Sequence, residues 1–263
     1  MPMKICVLGA TGGVGKQVVK HALEQGHTVL ALAREPEKID ANLASKSLST
    51  AKVNIASRDV DELASIISGC ELCVPDLLPC TLIPLANPVE IRTPCRVLSC
   101  LGNRRGEPPV VANGTATLMA AMAKSGVPRM AMISSIGVGD SWSQLYRLGF
   151  GGWVFSAIFA TILRSTKADL NAAEALAIGG PPGWVGAATP HSRPGGVSAI
   201  AVRPAGLSDA PGTGEYDVAL ADGTVGSSVA REDVARFMLT LAGDTKYDNG
   251  AVSVGGNAPR TGH

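Results

Sequence analysis

A single α/β domain with a doubly wound, mostly parallel sheet is the fold that this 263-residue chain predicts. Three observations point there. An apolar strand over 5–8 runs into the glycine-rich turn Gly9-Ala-Thr-Gly-Gly-Val-Gly15, and a helix opens directly behind it. A second strand, 27–33, follows about 20 residues on, which is the spacing of a βαβ unit. Beyond it, strand-like and helix-like segments alternate to the end of the chain, the pattern of a parallel sheet covered by helices on both faces.

Taken in order, the first helix covers 15–25 and closes at Gly26 before the strand at 27–33. Segment 52–56, Lys-Val-Asn-Ile-Ala, reads as the third strand, and 59–67 as a helix with apolar positions 60, 63, 66 and 67. The stretch 75–95 carries five prolines; proline cannot donate to a sheet ladder, so a central strand is excluded and an inserted loop of about 20 residues is expected. Strand 96–102, the alanine-rich helix 113–124 ending at Gly126, and strand 129–135 resume the alternation. An apolar run follows at 148–163 and a helix at 166–178, then a Gly/Pro-rich second insertion at 179–197. Strand 198–203, a hairpin of 216–220 with its turn at 221–223, helix 231–242 and strand 251–254 complete the chain.

The glycine turn carries a chemical expectation. Gly9, Gly12 and Gly15 let the backbone turn tightly, let a pyrophosphate approach the amides and let helix pack closely on strand. The helix N-terminus then offers unpaired N–H groups and a positive dipole end, so Gly9, Thr11, Gly12, Gly13, Val14 and Gly15 form a candidate dinucleotide cradle. The bland alternative is a tight βα turn with no ligand. At the end of the second strand, where an NAD site places a carboxylate for the ribose 2′-hydroxyl, this chain has Arg34. Its guanidinium can fork onto a 2′-phosphate, which favours NADP(H); Glu35 next to it argues the other way, and a solvated loop arginine is the alternative. Leu101 and Gly102 fall at the carboxyl end of the fourth strand, over the cofactor, with Arg104 and Arg105 beyond them as surface charges.

Composition narrows the classes. A net charge of +1 with no basic stripe argues against nucleic acid as a partner. Six cysteines include a Cys-x-x-Cys at Cys70 and Cys73, but no second Cys/His pair completes a zinc set, so a metal site is not expected. Cys6, Cys80, Cys95 and Cys100 read with them as small apolar residues of a reducing compartment. The run 148–163 is shorter than the roughly 20 residues of a membrane span and is bounded by Arg147 and Arg164. It is expected to be a buried or lid-like helix beside a cleft for an apolar small-molecule substrate, without stable membrane insertion. A first strand this near residue 1 leaves no room for a presequence, so a cytoplasmic location is expected, or an organellar one where a presequence has been removed. Oligomeric state stays open.

Further motifs carry a resemblance. Leu101-Gly-Asn-Arg-Arg-Gly106, Gly126-Val-Pro-Arg129, Ile133-Ser-Ser-Ile-Gly-Val-Gly-Asp140, Val202-Arg-Pro-Ala-Gly-Leu-Ser-Asp209 and Ser228-Val-Ala-Arg-Glu-Asp-Val-Ala-Arg-Phe-Met-Leu239 together resemble the atypical, NAD(P)H-binding short-chain dehydrogenase/reductases. That group includes the NmrA-like and flavin reductase/biliverdin-B reductase branches. The resemblance implies a Rossmann-type fold and places Asp59 beside the adenine, although a plain helix N-cap is its other reading. It also places Arg203 and Pro204 at the cofactor and Ser134 and Ser135 beside the nicotinamide or substrate, where they could equally cap the following turn. Lys167 lies near a catalytic lysine of isoflavone-reductase-like relatives; a surface lysine is the alternative. His191, in the second insertion, reads as a loop residue.

The Tyr and Lys four residues apart that serve conventional members are absent, because Tyr146, Tyr216 and Tyr247 are followed at that distance by Phe150, Leu220 and Ala251. Hydride transfer survives this loss, since flavins, quinones and bilins accept a hydride at conjugated atoms and solvent can supply the proton. The expectation is therefore an NADPH-dependent oxidoreductase acting on an apolar, conjugated acceptor. The alternatives are a non-catalytic NADP(H)-binding redox sensor or regulator of the NmrA-like kind, or an assembly factor that retains the fold as a scaffold.

Overall fold

The computed structural model describes residues 2–68, 96–103, 108–147, 149–179, 196–220 and 223–256. Most of both expected insertions, with Cys70, Cys73, Cys80, Cys95, Arg104, Arg105, His191 and the turn residues Ala221 and Asp222, lies outside the described residues.

Among those residues an eight-stranded sheet forms the centre. Its strands are β1 (Lys4–Leu8), β2 (Thr28–Ala33), β3 (Leu48–Lys52), β4 (Arg96–Ser99), β5 (Arg129–Ile133), β6 (Ser198–Pro204), β8 (Asp217–Ala219) and β10 (Ala251–Gly255). They lie in the order β3-β2-β1-β4-β5-β6-β10-β8, all parallel except β8, which runs antiparallel to β10. A small parallel pair, β7 (Gly206–Ser208) with β9 (Ser228–Ala230), forms a second sheet beside β10, with the Gly256 N–H donating to Ser228 O at 2.7 Å. The helices are α1 (Gly13–Glu24), α2 (Val60–Ser68), α3 (Val111–Ser125), α4 (Trp142–Arg147), α5 (Gly149–Thr161), α6 (Arg164–Ile178) and α7 (Arg231–Gly243).

The period-2 alternation of the strands divides the core. Ile5 and Val7 of β1 join the apolar cluster under α1 and α7, while Cys6 and Leu8 join the one under α2, α3 and α6. β6 repeats the division, with Ile200 and Val202 on the first side and Ala199 and Ala201 on the second. Both faces are thus covered, as a parallel sheet requires. Chain order reverses at β1, which pairs with β2 on one side and β4 on the other, and the crevice above that point is where such sheets bind ligands.

Two expected elements fall elsewhere. The third strand is Leu48–Lys52 rather than 52–56, an edge strand exposed at several positions. Val53 and Ile55, which suggested a strand, are buried by a 3-10 turn over Ile55–Ser57 instead. Among the described residues the segment 216–220 pairs with no hairpin partner: β8 pairs with β10, and Gln144 Nε2 holds its end by donating to Leu220 O and Gly223 O at 2.7 and 3.1 Å.

Candidate functional site

The site begins at the end of β1. Gly9 has φ +81°, a left-handed conformation, and a Cβ there would stand 2.7 Å from Cys100 O. Gly15 is the third residue of α1, where a Cβ would meet Gly9 O at 2.2 Å, so strand end and helix start interlock backbone to backbone. Gly12 differs: at φ −74° it is in ordinary extended backbone, and its N–H donates to Gly9 O at 2.9 Å. Its small size keeps the approach to the helix end open. The first turn of α1 contains no acidic residue, so its amides, which lack intrahelical acceptors, meet no competing carboxylate from their own turn.

These residues form one side of a cleft of about 410 Å3 at the switch point of the sheet. The end of β2 supplies Ala33 and Arg34, the 3-10 turn supplies Asn54 and Ala56, and the exit of β4 supplies Cys100 to Asn103. Ile133, Leu207 and Arg231 also line it. Glu35 is not among the lining residues and pairs with Lys38. Burial pushes the Cys100 thiol up to about 12, so it stays protonated at neutral pH.

The wall after β4 is held from a distance. Asp169, buried on α6, accepts the backbone N–H of Val111 at 2.9 Å and of Ala112 at 3.0 Å, capping α3. The same carboxylate accepts Asn103 Nδ2 at 2.9 Å, while Asn103 Oδ1 accepts the Val110 N–H at 2.9 Å. A closed set of hydrogen bonds thereby fixes the Leu101–Gly102–Asn103 segment against the cleft.

The structure brings Gly9, Thr11, Gly12, Gly13, Val14, Arg34, Leu101 and Gly102 together along this cleft, with Gly15 directly behind. It does not bring the others there. Asp59 is exposed and caps α2, its Oδ1 accepting the Glu62 N–H at 2.8 Å. Arg203 is buried away from the cleft, its Nε and Nη2 donating to Glu174 at 2.9 and 2.6 Å and its Nη1 to Asp140 at 2.5 Å. Burial alone would lower the Arg203 pKa, but the two carboxylates hold it above its ordinary value. Pro204 offers only its carbonyl, which accepts the Ile136 N–H. Lys167 lays its ammonium over the Trp142 ring, 3.4 Å from the centroid, and burial lowers its pKa.

Ser134 follows the cleft residue Ile133 but is itself buried, and its Oγ meets no hydrogen-bond partner among the described residues. Ser135 Oγ donates to Ile136 O at 3.1 Å, a turn contact. Helix α5 contributes no lining residue among those described; it packs on α4 and α6, with Trp153 and Ile158 exposed, as is Ile162 just after it.

Sequence reasoning missed Arg231, Asn54 and the role of Asp169. Arg231 opens α7 directly after a strand, a position that could have drawn attention; Asp169 gave no signal, because its partners lie 57, 58 and 66 residues away.

Taken as a donor set, the cleft fits a dinucleotide. A glycine cradle in which a Cβ on Gly9 or Gly15 would strike backbone faces a helix N-terminus without acids, and an arginine stands at the end of β2.

Comparison with known proteins agrees with this geometry. Residues 9–245 match the model of the NAD(P)H-binding family. An uncharacterized chloroplastic protein of Arabidopsis thaliana is 26% identical over 241 residues, covering 90% of this chain and 70% of that protein. The photosystem II assembly factor Ycf39 of Synechocystis is 26% identical over 132 residues, half of this chain, which spans a third of that protein's length. Among solved structures, ChuY, an anaerobillin reductase from Escherichia coli O157:H7, superposes with TM-score 0.67 at 19% identity, over 99% of this chain and 100% of that one.

Proposed function

Because the chain belongs to the NAD(P)H-binding family, we propose that it is an NADPH-dependent oxidoreductase that transfers a hydride to an apolar, conjugated acceptor such as a quinone or flavin. The observation that carries the reading is the cleft itself: a helix N-terminus without acids, Arg34 at the end of β2 where a 2′-phosphate would lie, and an apolar lining from Leu101, Val110, Ile133 and Leu207. The reduced nicotinamide, when bound, supplies the hydride. The chain supplies orientation and exclusion of water from the apolar part of the cleft. No Tyr, Lys, His, Asp or Glu is among the described lining residues, and the Cys100 thiol is held protonated, so proton delivery to the product falls to solvent. Catalysis of this kind rests on holding the acceptor face-on to the nicotinamide, a positioning effect.

A second reading is favoured by the same lack of acid and base groups and by the likeness to an assembly factor over half of the chain. In it, bound NADP(H) sets the state of a regulator or scaffold and no turnover occurs. The two are separated by NADPH oxidation followed at its near-ultraviolet absorbance against a panel of quinones, flavins and bilins, with a binding titration alongside. Acceptor-dependent oxidation supports the enzyme. Tight NADPH binding with no oxidation by any acceptor supports the regulator, and absence of NADPH binding overturns both.

A further inference from the structure

Arg231 is the first residue of α7, yet its side chain reaches across to the glycine turn. Its Cδ and Nε lie 2.7 and 2.8 Å from where a Cβ on Gly13 would stand, so the stem rests on the first residue of α1. A side chain at position 13 would have to displace it. The guanidinium borders the cleft, and Nη1 donates to Asp209 Oδ1 at 2.6 Å. Asp209 is 90% exposed at its side chain, so this pair is held weakly.

The segment that carries Asp209 is fastened by the next two residues of the same helix. Glu232 accepts the Gly212 N–H at 2.9 Å, and Asp233 accepts the N–H groups of Thr213 and Gly214 at 3.0 and 2.8 Å. Arg231 can therefore leave Asp209 without releasing the segment. A guanidinium and the free amides of α1 converge on one place, and each alone favours an anion.

We infer that Arg231 is a ligand for the diphosphate of the dinucleotide, held in reserve by Asp209, and that binding exchanges the carboxylate for the phosphates. The inference rests on the reading that a dinucleotide occupies this cleft. A diphosphate presents two negative charges and paired oxygens to the fork, against one exposed carboxylate. Asp209 thus competes with the ligand and lowers its affinity. Arg34 and Arg231 divide the recognition: Arg34 tells NADPH from NADH, whereas Arg231 binds what the two share.

The test is titration of the full chain with NADPH, NADH and inorganic pyrophosphate, by calorimetry or cofactor fluorescence, on wild type, Arg231→Gln, Arg231→Lys and Asp209→Asn. Arg231→Gln is expected to weaken NADPH and NADH by the same factor, about tenfold or more, as loss of a charge-assisted hydrogen bond to a phosphate implies. Pyrophosphate should weaken in parallel. Arg231→Lys, which keeps the charge and loses the fork, should fall between. Asp209→Asn is expected to tighten all three ligands by up to about fivefold, the range of an exposed ion pair; this exposed substitution leaves the fold intact and gives a readout if Arg231→Gln does not fold. Wild-type affinities in Arg231→Gln, or unchanged affinities in Asp209→Asn, would overturn the inference while leaving the dinucleotide reading in place. A wild-type protein that binds neither cofactor would overturn that reading and this inference with it.

Discussion

Gly15→Ala sets two magnitudes against each other. Alanine in a helix is favoured over glycine by about 1 kcal/mol, which alone would stabilise α1. The added Cβ would lie 2.2 Å from Gly9 O, and Gly9 is itself pinned by its approach to Cys100 O and by its N–H bond to Leu32 O at 3.0 Å. Both clashing atoms are tied to backbone, so no rotamer can relieve the overlap, and the penalty belongs at the upper end of the 1–3 kcal/mol typical of overpacking. The net expectation is destabilisation by about 2 kcal/mol, a fall in Tm of roughly 4–8 °C for a domain of this size. Because α1 must move off the turn, the first-turn amides are displaced from the phosphate position, and NADPH affinity should fall about tenfold or more. The assay is a urea or thermal unfolding curve with a fluorescence titration on the same sample. Gly243→Ala is the control, since that position has open space around its Cβ and should change stability by no more than about 0.5 kcal/mol. Wild-type stability and affinity in Gly15→Ala would refute the interlock.

Three further outcomes are expected. Glu174→Ala leaves the buried Arg203 with Asp140 alone and should lower unfolding stability by about 3 kcal/mol, the lower end for breaking a buried pair, in a denaturant titration; a loss below about 1 kcal/mol would contradict the account of Arg203 as structural. Thiolate is the alkylating species, so a thiol pushed up to about 12 should leave Cys100 unmodified by iodoacetamide at pH 8 in the native protein, by peptide mapping, and modified after unfolding; rapid native labelling would show the thiol to be activated. Ser134→Ala removes a buried hydroxyl that meets no partner among the described residues, so stability should hold or rise and acceptor reduction should fall about tenfold or less; a loss of 10²–10⁴-fold with NADPH binding intact would make Ser134 a proton donor.

What could be read from the sequence follows from how locally each feature is encoded. The β1–turn–α1 unit was legible because strand, glycines and helix are contiguous and each residue type has one backbone reason to be there. The third strand was misplaced because Leu48–Lys52 is an exposed edge strand, while the apolar Val53 and Ile55 beside it imitate one from a turn. Arg203 was expected at the cofactor because the resemblance of its motif places it there; its partners Glu174 and Asp140 lie 29 and 63 residues away, and no local pattern announces them. Lys167 was drawn off by Trp142, 25 residues earlier, for the same reason. Arg231 crosses from α7 to Gly13 through space alone.

The dinucleotide assignment meets its most direct test in titrating wild type and Arg34→Ala with NADPH and NADH. Wild type should bind NADPH more tightly, and the substitution should weaken NADPH by about 10- to 100-fold, the 1.5–3 kcal/mol of a charge-assisted hydrogen bond, while leaving NADH almost unchanged. Equal losses for the two cofactors, or a wild type indifferent between them, would contradict the assignment of the 2′-phosphate to Arg34.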